Sequence, residues 1–427
     1  MYAGDCGIMW EKENKHIGIK ILLVLLIIVL SAVLVLGYRY VKAQEAAQDA
    51  ELLKVASEHK QEQTEAKQAT YESMEAAYQE DLLSIQTYLP GIVCWGDILT
   101  AGSAGGVSYP DTLRELINEN IVDKYDFRST LENTDELTRV DWTAYTVEIP
   151  VVNMGSGAES SATVLGRNGA SPYVVSEEFT IPAGTESVQV IFTGENSEPV
   201  LPLTQGDVGV NNVKIAGVEG RLSLDLESYQ SRHRSIYYFT RLTPGIETYV
   251  EPGTQIITAA SGLYRNYIPV IFLGTYDGEY SNVEELIASQ KAIIAHQTAN
   301  RDRYIILGIY YLKNHWDYGL NGELERYESA MLQEYGDRFI NVRKYFCSDG
   351  LSDADISATQ QDTRDIAKGL VPSSLRSSAE PSELNAKGYR LLGQLVYNRM
   401  EKLGYFNEIK DELGITALEK QQKQTGK

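Results

Sequence analysis

The hydrophobic and polar positions of this chain fall into four successive patterns, each with its own structural consequence. From Ile17 to Gly37 every residue is apolar or small except Lys20. At ~1.5 Å per residue such a run makes a helix of roughly 30 Å, long enough to cross a bilayer if Lys20 snorkels to the interface. A cleaved signal peptide has a shorter apolar core, about 7 to 15 residues, and a small-residue cleavage site. The pattern therefore predicts an uncleaved transmembrane signal anchor behind a short segment, residues 1–16. From Tyr38 to Leu89 there is neither Gly nor Pro, and Ala, Glu, Gln and Lys dominate. That composition predicts a long exposed helix, a stalk of ~70 Å. Its apolar positions, such as Leu52, Val55, Met74, Tyr78, Leu82 and Ile85, cluster toward the two ends. A sustained heptad seam is missing, so strong coiled-coil dimerisation is not expected. The stalk reads as a spacer in preference to a helix that packs back on the rest of the chain.

Beyond Pro90 apolar strand-like runs alternate with amphipathic helical ones. Ile268 to Leu273, Tyr304 to Tyr311 and Phe339 to Phe346 have the strand pattern, and Ser281 to Thr298 and Glu323 to Tyr335 the helical one. This alternation predicts an α/β domain over residues 90–405, a doubly wound parallel sheet with helices on both faces. Leu384 to Leu403 predicts a closing helix, and residues 406–427 a polar tail. Between about Ser171 and Thr258 the rhythm breaks into short β-rich pieces such as Tyr173-Val-Val-Ser and Glu186-Ser-Val-Gln-Val-Ile-Phe, separated by Gly, Pro and Asn. We read an all-β insertion here, residues 171–258, either a lid or ligand-binding module or a decoration without a ligand.

Charge changes the picture in one respect. The 427 residues carry a formal net charge of -21, which disfavours nucleic acid as a partner. Lys12, Lys15 and Lys20 precede or open the apolar run and Arg39 and Lys42 follow it, a small bias toward a cytoplasmic N-terminus. With the length of the C-terminal part, this places residues 38–427 outside the cytoplasm of a single-pass cell-membrane protein. Of three cysteines only Cys94 and Cys347 follow the anchor, and Cys94 lies in a strand-like run as a core residue. No zinc-ligand spacing is present, and the sequence implies no metal and no cofactor. The 28 tyrosines suit sugar or peptide surfaces as well as strands.

Four separated blocks carry a specific resemblance. The first is Gly91-Ile-Val-Cys-Trp-Gly-Asp-Ile-Leu-Thr-Ala-Gly102, a strand running into Gly96-Asp97-Ile98. The second is Val151-Val-Asn-Met-Gly-Ser-Gly-Ala-Glu-Ser160. The third is the apolar run Ile268 to Leu273 followed by Gly274-Thr275-Tyr276. The last is Glu380-Pro-Ser-Glu-Leu-Asn-Ala-Lys-Gly-Tyr389. In order and spacing they resemble the SGNH, or GDSL-like, hydrolase (lipase/acylhydrolase) family over roughly residues 90 to 405. The resemblance implies that Ile98 stands at the place of the nucleophilic serine. It puts Ala158 at the oxyanion glycine, Tyr276 at the oxyanion asparagine, and Glu380 and Glu383 at the aspartate and histidine of the late pair. It further implies a cleft lined by Gly96, Asp97, Ile98, Gly157, Ala158, Tyr276, Glu380, Glu383 and Asn385.

The replacements matter together. Acyl transfer needs an activated hydroxyl, a base within hydrogen-bond reach and donors aimed at the oxyanion. Ile98 has no nucleophilic atom, and an ionised glutamate at 383 is acceptor-only and a weak base near neutral pH. Only five histidines exist, at positions 16, 59, 233, 296 and 315, none near the last block. Triad losses cost on the order of 10⁴ to 10⁶ in rate and are non-additive, so a site without its nucleophile places little demand on the remaining groups. The sequence expectation is a catalytically inactive surface binding or scaffold protein whose ligand is a cell-surface carbohydrate, an ester or a protein. One alternative is a working acyl or acetyl esterase with relocated residues, Ser103, Ser108 and Ser156 being the nearest hydroxyls. Another is a carboxylate-based or metal-assisted enzyme using Asp97, Glu380 and Glu383.

Overall fold

The structure, a computed structural model, describes residues 6–102, 106–122, 148–277, 282–310, 321–378 and 382–416. It divides into two compact units, Met1–Gln79 and Glu80–Lys427. The first unit is helical, part of one helix that runs from Cys6 to Tyr88. Every side chain from 17 to 73 is exposed, including the whole apolar run. This is the one helix among the described residues long and apolar enough to cross a membrane, by length and composition. Past that run its surface carries i,i+4 pairs, Gln61 to Glu65, Gln68 to Glu72 and Lys54 with Glu58, each contributing a few tenths of a kcal/mol.

The second unit is mixed α/β around a five-stranded parallel sheet. Its strands in chain order are the first, Ile92–Gly96, the second, Val151–Gly155, the third, Ile268–Phe272, the fourth, Ile305–Leu307, and the fifth, Phe339–Ile340. In space they run fifth, fourth, third, first, second, with Cys94 paired to Asn153 on one side and Val270 on the other. Alternate residues feed two cores. Ile92, Cys94, Val270, Phe272 and Leu307 face one, with Leu113 and Ile117 of helix Tyr109–Ile117 and Leu392, Val396 and Met400 of helix Ala386–Lys402. Val93, Trp95, Ile271, Leu273 and Ile306 face the other, with Val164, Leu286, Ile293 and Met331 from three further helices. Strands buried on both faces are apolar throughout, which is why their text reads as continuous runs. Ile85 and Leu89, at and just past the end of the long helix, belong to the first of these cores.

Residues 173 to 257, between the second and third strands, form antiparallel sheets of seven and two strands with a separate core that includes Tyr173, Val190, Phe239 and Ile256. One hairpin shows how local chemistry builds them. Ala216 and Gly217 both take positive φ, the two-residue turn that joins Val213–Ile215 to Val218–Leu224 with the natural twist.

Two expectations need correction. The strand expected over Phe339 to Phe346 stops at Ile340, because the Asn341 side chain accepts from the Lys344 amide and opens helix Val342–Ser348. The polar tail expected from residue 406 begins later. Phe406, Ile409, Leu413 and Ile415 are buried in the first core around helix Asn407–Glu412, an apolar set spaced at helical intervals within a polar stretch. Residues 417–427 lie outside the described residues.

Candidate functional site

The strand order has a chemical consequence. The chain leaves the first strand toward the second on one side and returns to place the third on the other. In open α/β sheets the general ligand position lies at such a reversal, here outside the carboxyl ends of the first and third strands. Gly96-Asp97-Ile98 leaves the first strand at that point and Gly274-Thr275-Tyr276 leaves the third.

Glycines allow the loops to close here. A Cβ on Gly155 would run into the backbone of Thr100 and Ala101, and one on Gly96 into the Thr100 side chain and the Phe272 carbonyl. Ser156 N–H donates to the Gly96 carbonyl at 3.1 Å, and Asn153 Nδ2 donates to the Ala101 carbonyl at 3.2 Å. The turn after the first strand is thus tied to the end of the second.

Asp97 caps the short helix Ile98–Ala101, Oδ1 accepting from the Leu99 amide at 2.9 Å. It is 1% exposed, and burial pushes its carboxyl up to about 7, further helped by the charges of Asp277 and Glu159. A hydrogen bond from the Thr275 side chain, on the opposite loop, eases its ionisation. Ile98, next to Asp97, is half-buried and packs against the first core.

After the second strand the chain passes Gly157, buried beneath Gln205, and Ala158, half-buried with φ 59. That left-handed conformation costs an alanine about 1 kcal/mol more than a glycine. Glu159 follows, 2% exposed and clamped by Arg167, which is itself wholly buried. Arg167 donates twice to Glu159 Oε2, at 2.6 and 3.0 Å, and once each to the Met154 and Val208 carbonyls, with its guanidinium 5.4 Å from the Trp95 ring centroid. Burial raises the Glu159 pKa and Arg167 opposes the rise. Asp277, beyond Tyr276, accepts from the Ser161 amide at 2.6 Å and hydroxyl at 2.7 Å, joining the loop of the third strand to the start of helix Ser161–Asn168. Its pKa too is raised by burial.

The last block reaches the same edge through Tyr310, whose hydroxyl donates to the Ser382 carbonyl at 3.2 Å. Tyr310 and Tyr389, held well above their usual pKa mainly by burial, each feel the charges of Asp97 and Glu383 and the Tyr276 hydroxyl. Asp97, Tyr276 and Glu383 therefore share one electrostatic neighbourhood at the carboxyl edge of the sheet. Asn385 has a different task. Its side chain caps helix Ala386–Lys402 through the Lys387 and Gly388 amides and donates to the Ser374 carbonyl at 2.8 Å. Glu380, and with it one of the expected cleft residues, lies outside the described residues, as do Ser103 and His315.

The remaining hydroxyls sit beside carboxylates. Ser108 caps a helix and donates to Asp111, and Ser156 bonds Glu159. His296 meets the Ser261 carbonyl, and His233 is exposed among the β strands, so neither described histidine of this unit adjoins a serine hydroxyl of the edge. A cavity of about 10 Å³ lined by Leu273, Gln290, Tyr327 and Phe339 has room for about one water and involves none of these groups. Among the described residues, no group of three or more His, Cys, Asp or Glu side chains is placed to hold a metal ion.

The groups that sequence reading passed over are Thr275, Asp277, the Glu159–Arg167 pair, Tyr310 and Tyr389. Thr275 and Asp277 had one usable signal, their place just past an apolar strand in a predicted parallel sheet. Tyr310 read as part of the strand-like run Tyr304 to Tyr311, and Tyr389 as the last residue of the fourth block. Comparison of the chain with protein-family models, with curated proteins and with solved structures gives no match.

Proposed function

We propose that this chain is a single-pass membrane protein with an SGNH-hydrolase-like domain that binds a ligand at the carboxyl edge of its parallel sheet and does not hydrolyse it. Residues 38–427 lie outside the cytoplasm, and residues 171–258 are a β-rich insertion into the domain. The observation that carries the reading is Ile98. It occupies the first helical position after the first strand, next to the buried Asp97, and offers no hydroxyl where the resemblance requires a nucleophile. Support for the insertion comes from its packing. Leu201 N–H bonds Thr163, the Val208 carbonyl accepts from Arg167, and Gln205 covers Gly157, so the segment borders the same loops.

The test uses the full chain in detergent. A fluorophosphonate probe should leave it unlabelled, and a short nitrophenyl ester should be cleaved no faster than in buffer. Stoichiometric labelling would replace this reading with that of an active esterase whose serine lies elsewhere.

A further inference from the structure

We propose that loop 242–247 and the outer side of the two-stranded sheet beside it form a docking surface for a basic, apolar segment of a partner protein. The surface belongs to the β-rich segment, residues 173 to 257, and the inference does not depend on what the edge of the parallel sheet binds.

The loop is an apolar tip held out by a buried cation. Ile246 is 86% exposed, Tyr249 56% and Leu242 42%. Fraying does not explain this exposure, because Arg241 is buried beneath the loop and ties it down. Its guanidinium donates to the Thr243 and Pro182 carbonyls at 2.8 Å and to the Ile246 carbonyl at 3.0 Å. Gly245 N–H donates to the Ala183 carbonyl at 2.8 Å, and a Cβ on Gly245 would strike the Arg241 guanidinium. Charge-assisted bonds to three carbonyls fix the course of the loop, so Ile246 is presented in one place and a partner bears little cost of ordering it.

Strand alternation extends the surface. Thr248–Val250 pairs antiparallel with Phe179–Ile181, Tyr249 opposite Thr180. Phe179, Ile181 and Val250 pack in or against the core of the β-rich segment, which puts Tyr249 and Thr180 on the outer side. The Tyr249 hydroxyl donates to Glu178, and the charge of Glu251 also bears on it.

Charge complementarity names the occupant. Residues 177–187 and 242–252 hold Glu177, Glu178, Glu186, Glu247 and Glu251, all exposed, and no Lys, Arg or His. Arg241, which adjoins them, is committed to backbone carbonyls. Carboxylates beside an apolar tip repel an acidic peptide and an anionic bilayer alike. A segment with Lys or Arg next to Ile, Leu or Val answers both parts. Its apolar side chains cover Ile246 and Leu242, its cations meet the acidic rim, and the Tyr249 ring offers a face to one of them.

The probes are three short fluorescent peptides: one alternating Lys with Ile and Leu, an acidic one with Glu for Lys, and a polar one with Ser for Ile and Leu. Anisotropy on the full chain in detergent, measured above the signal with micelles alone, should show the first binding saturably and roughly tenfold more tightly than either of the others. Its affinity should fall several-fold between about 50 and about 500 mM salt. Ile246→Ser should weaken it roughly fivefold, and Glu247→Lys with Glu251→Lys should abolish it, both with an unchanged Tm because these side chains are exposed. The same reversal at Glu62 and Glu227, exposed elsewhere on the chain, should change the affinity by less than about twofold, which separates this surface from the general acidity of the protein. Binding should persist with the chain in phosphatidylcholine nanodiscs. Equal binding of the polar peptide, survival of binding in the Ile246→Ser chain, or equal loss on reversal at Glu62 and Glu227 overturns the proposal. So does the absence of saturable binding, or its disappearance in nanodiscs, which would make lipid the occupant.

Discussion

Asp97 offers the sharpest quantitative consequence of the site. Its carboxyl shifts from an ordinary 3.8 to about 7 on folding, chiefly because burial strips water from the charged form. The folded value lies above the unfolded one, so the stability associated with this proton is fully present below about 3.8 and is lost as pH rises through 7. Each pH unit between the two values corresponds to about 1.4 kcal/mol, so holding the carboxylate costs ~1.5 kcal/mol at pH 5 and ~4 kcal/mol at pH 8. Asp97→Asn retains an acceptor for the Leu99 amide and cannot ionise. The stability of the variant relative to the wild type should therefore improve by about 2.5 kcal/mol between pH 5 and pH 8. At about 2 °C per kcal/mol for a domain of this size, that is a relative Tm gain of about 5 °C. Differential scanning calorimetry of both chains in the same detergent at the two pH values measures it, because every other titrating group cancels in the difference. A Tm difference that is the same at both pH values would show that Asp97 is solvated or paired, and the argument from its burial would fail.

Other consequences follow from the clamp, the closed loops and the cap. Arg167→Met strands a buried carboxylate and should destabilise by about 3–5 kcal/mol in thermal unfolding, with Glu159→Gln in the same chain recovering part of the loss; a double variant as unstable as the sum of the two singles would mean that the pair does not interact. Gly155→Ala sets a methyl group against the backbone of Thr100 and Ala101, neither of which can swing aside as a side chain would, and should cost about 3 kcal/mol or prevent folding, read by Tm and expression. Asn385→Ala removes the acceptor of two helix amides and should cost about 1–2 kcal/mol in thermal unfolding; an unchanged Tm would show that the cap contributes nothing. Deleting residues 17–37 should move the protein from the membrane pellet to the supernatant after fractionation; retention in the pellet would argue against the anchor.

Much of the architecture is written locally. The apolar run at Ile17 to Gly37, the Gly- and Pro-free stretch after it, the alternation beyond Pro90 and the Ala216-Gly217 hairpin each depend on composition and spacing within a few turns or strands. The sequence by itself was sufficient for a mixed α/β unit with a parallel sheet behind a long apolar helix. Local reading erred where a short-range signal competed with a long-range one. The apolar residues after Phe339 looked like one strand until Asn341 capped a helix, and Phe406, Ile409 and Leu413 looked like a tail because their polar neighbours outnumber them.

Of the edge residues, the sequence named Asp97, Ile98, Tyr276 and Glu383, but not what Asp97 faces. That depends on pairings across great chain distance. The first strand lies between the second and the third, and Asp277 closes on Ser161 from 116 residues away. The Tyr310 hydroxyl anchors Ser382 from 72 residues away. Only the folded chain removes water from Asp97 and sets it beside Thr275. Residue type and spacing encode helix, strand and turn, because those are contests among neighbours. Burial, and with it the pKa of a carboxyl and the charge a cleft accepts, belongs to the tertiary structure, because desolvation is imposed by whatever the rest of the chain brings to that point.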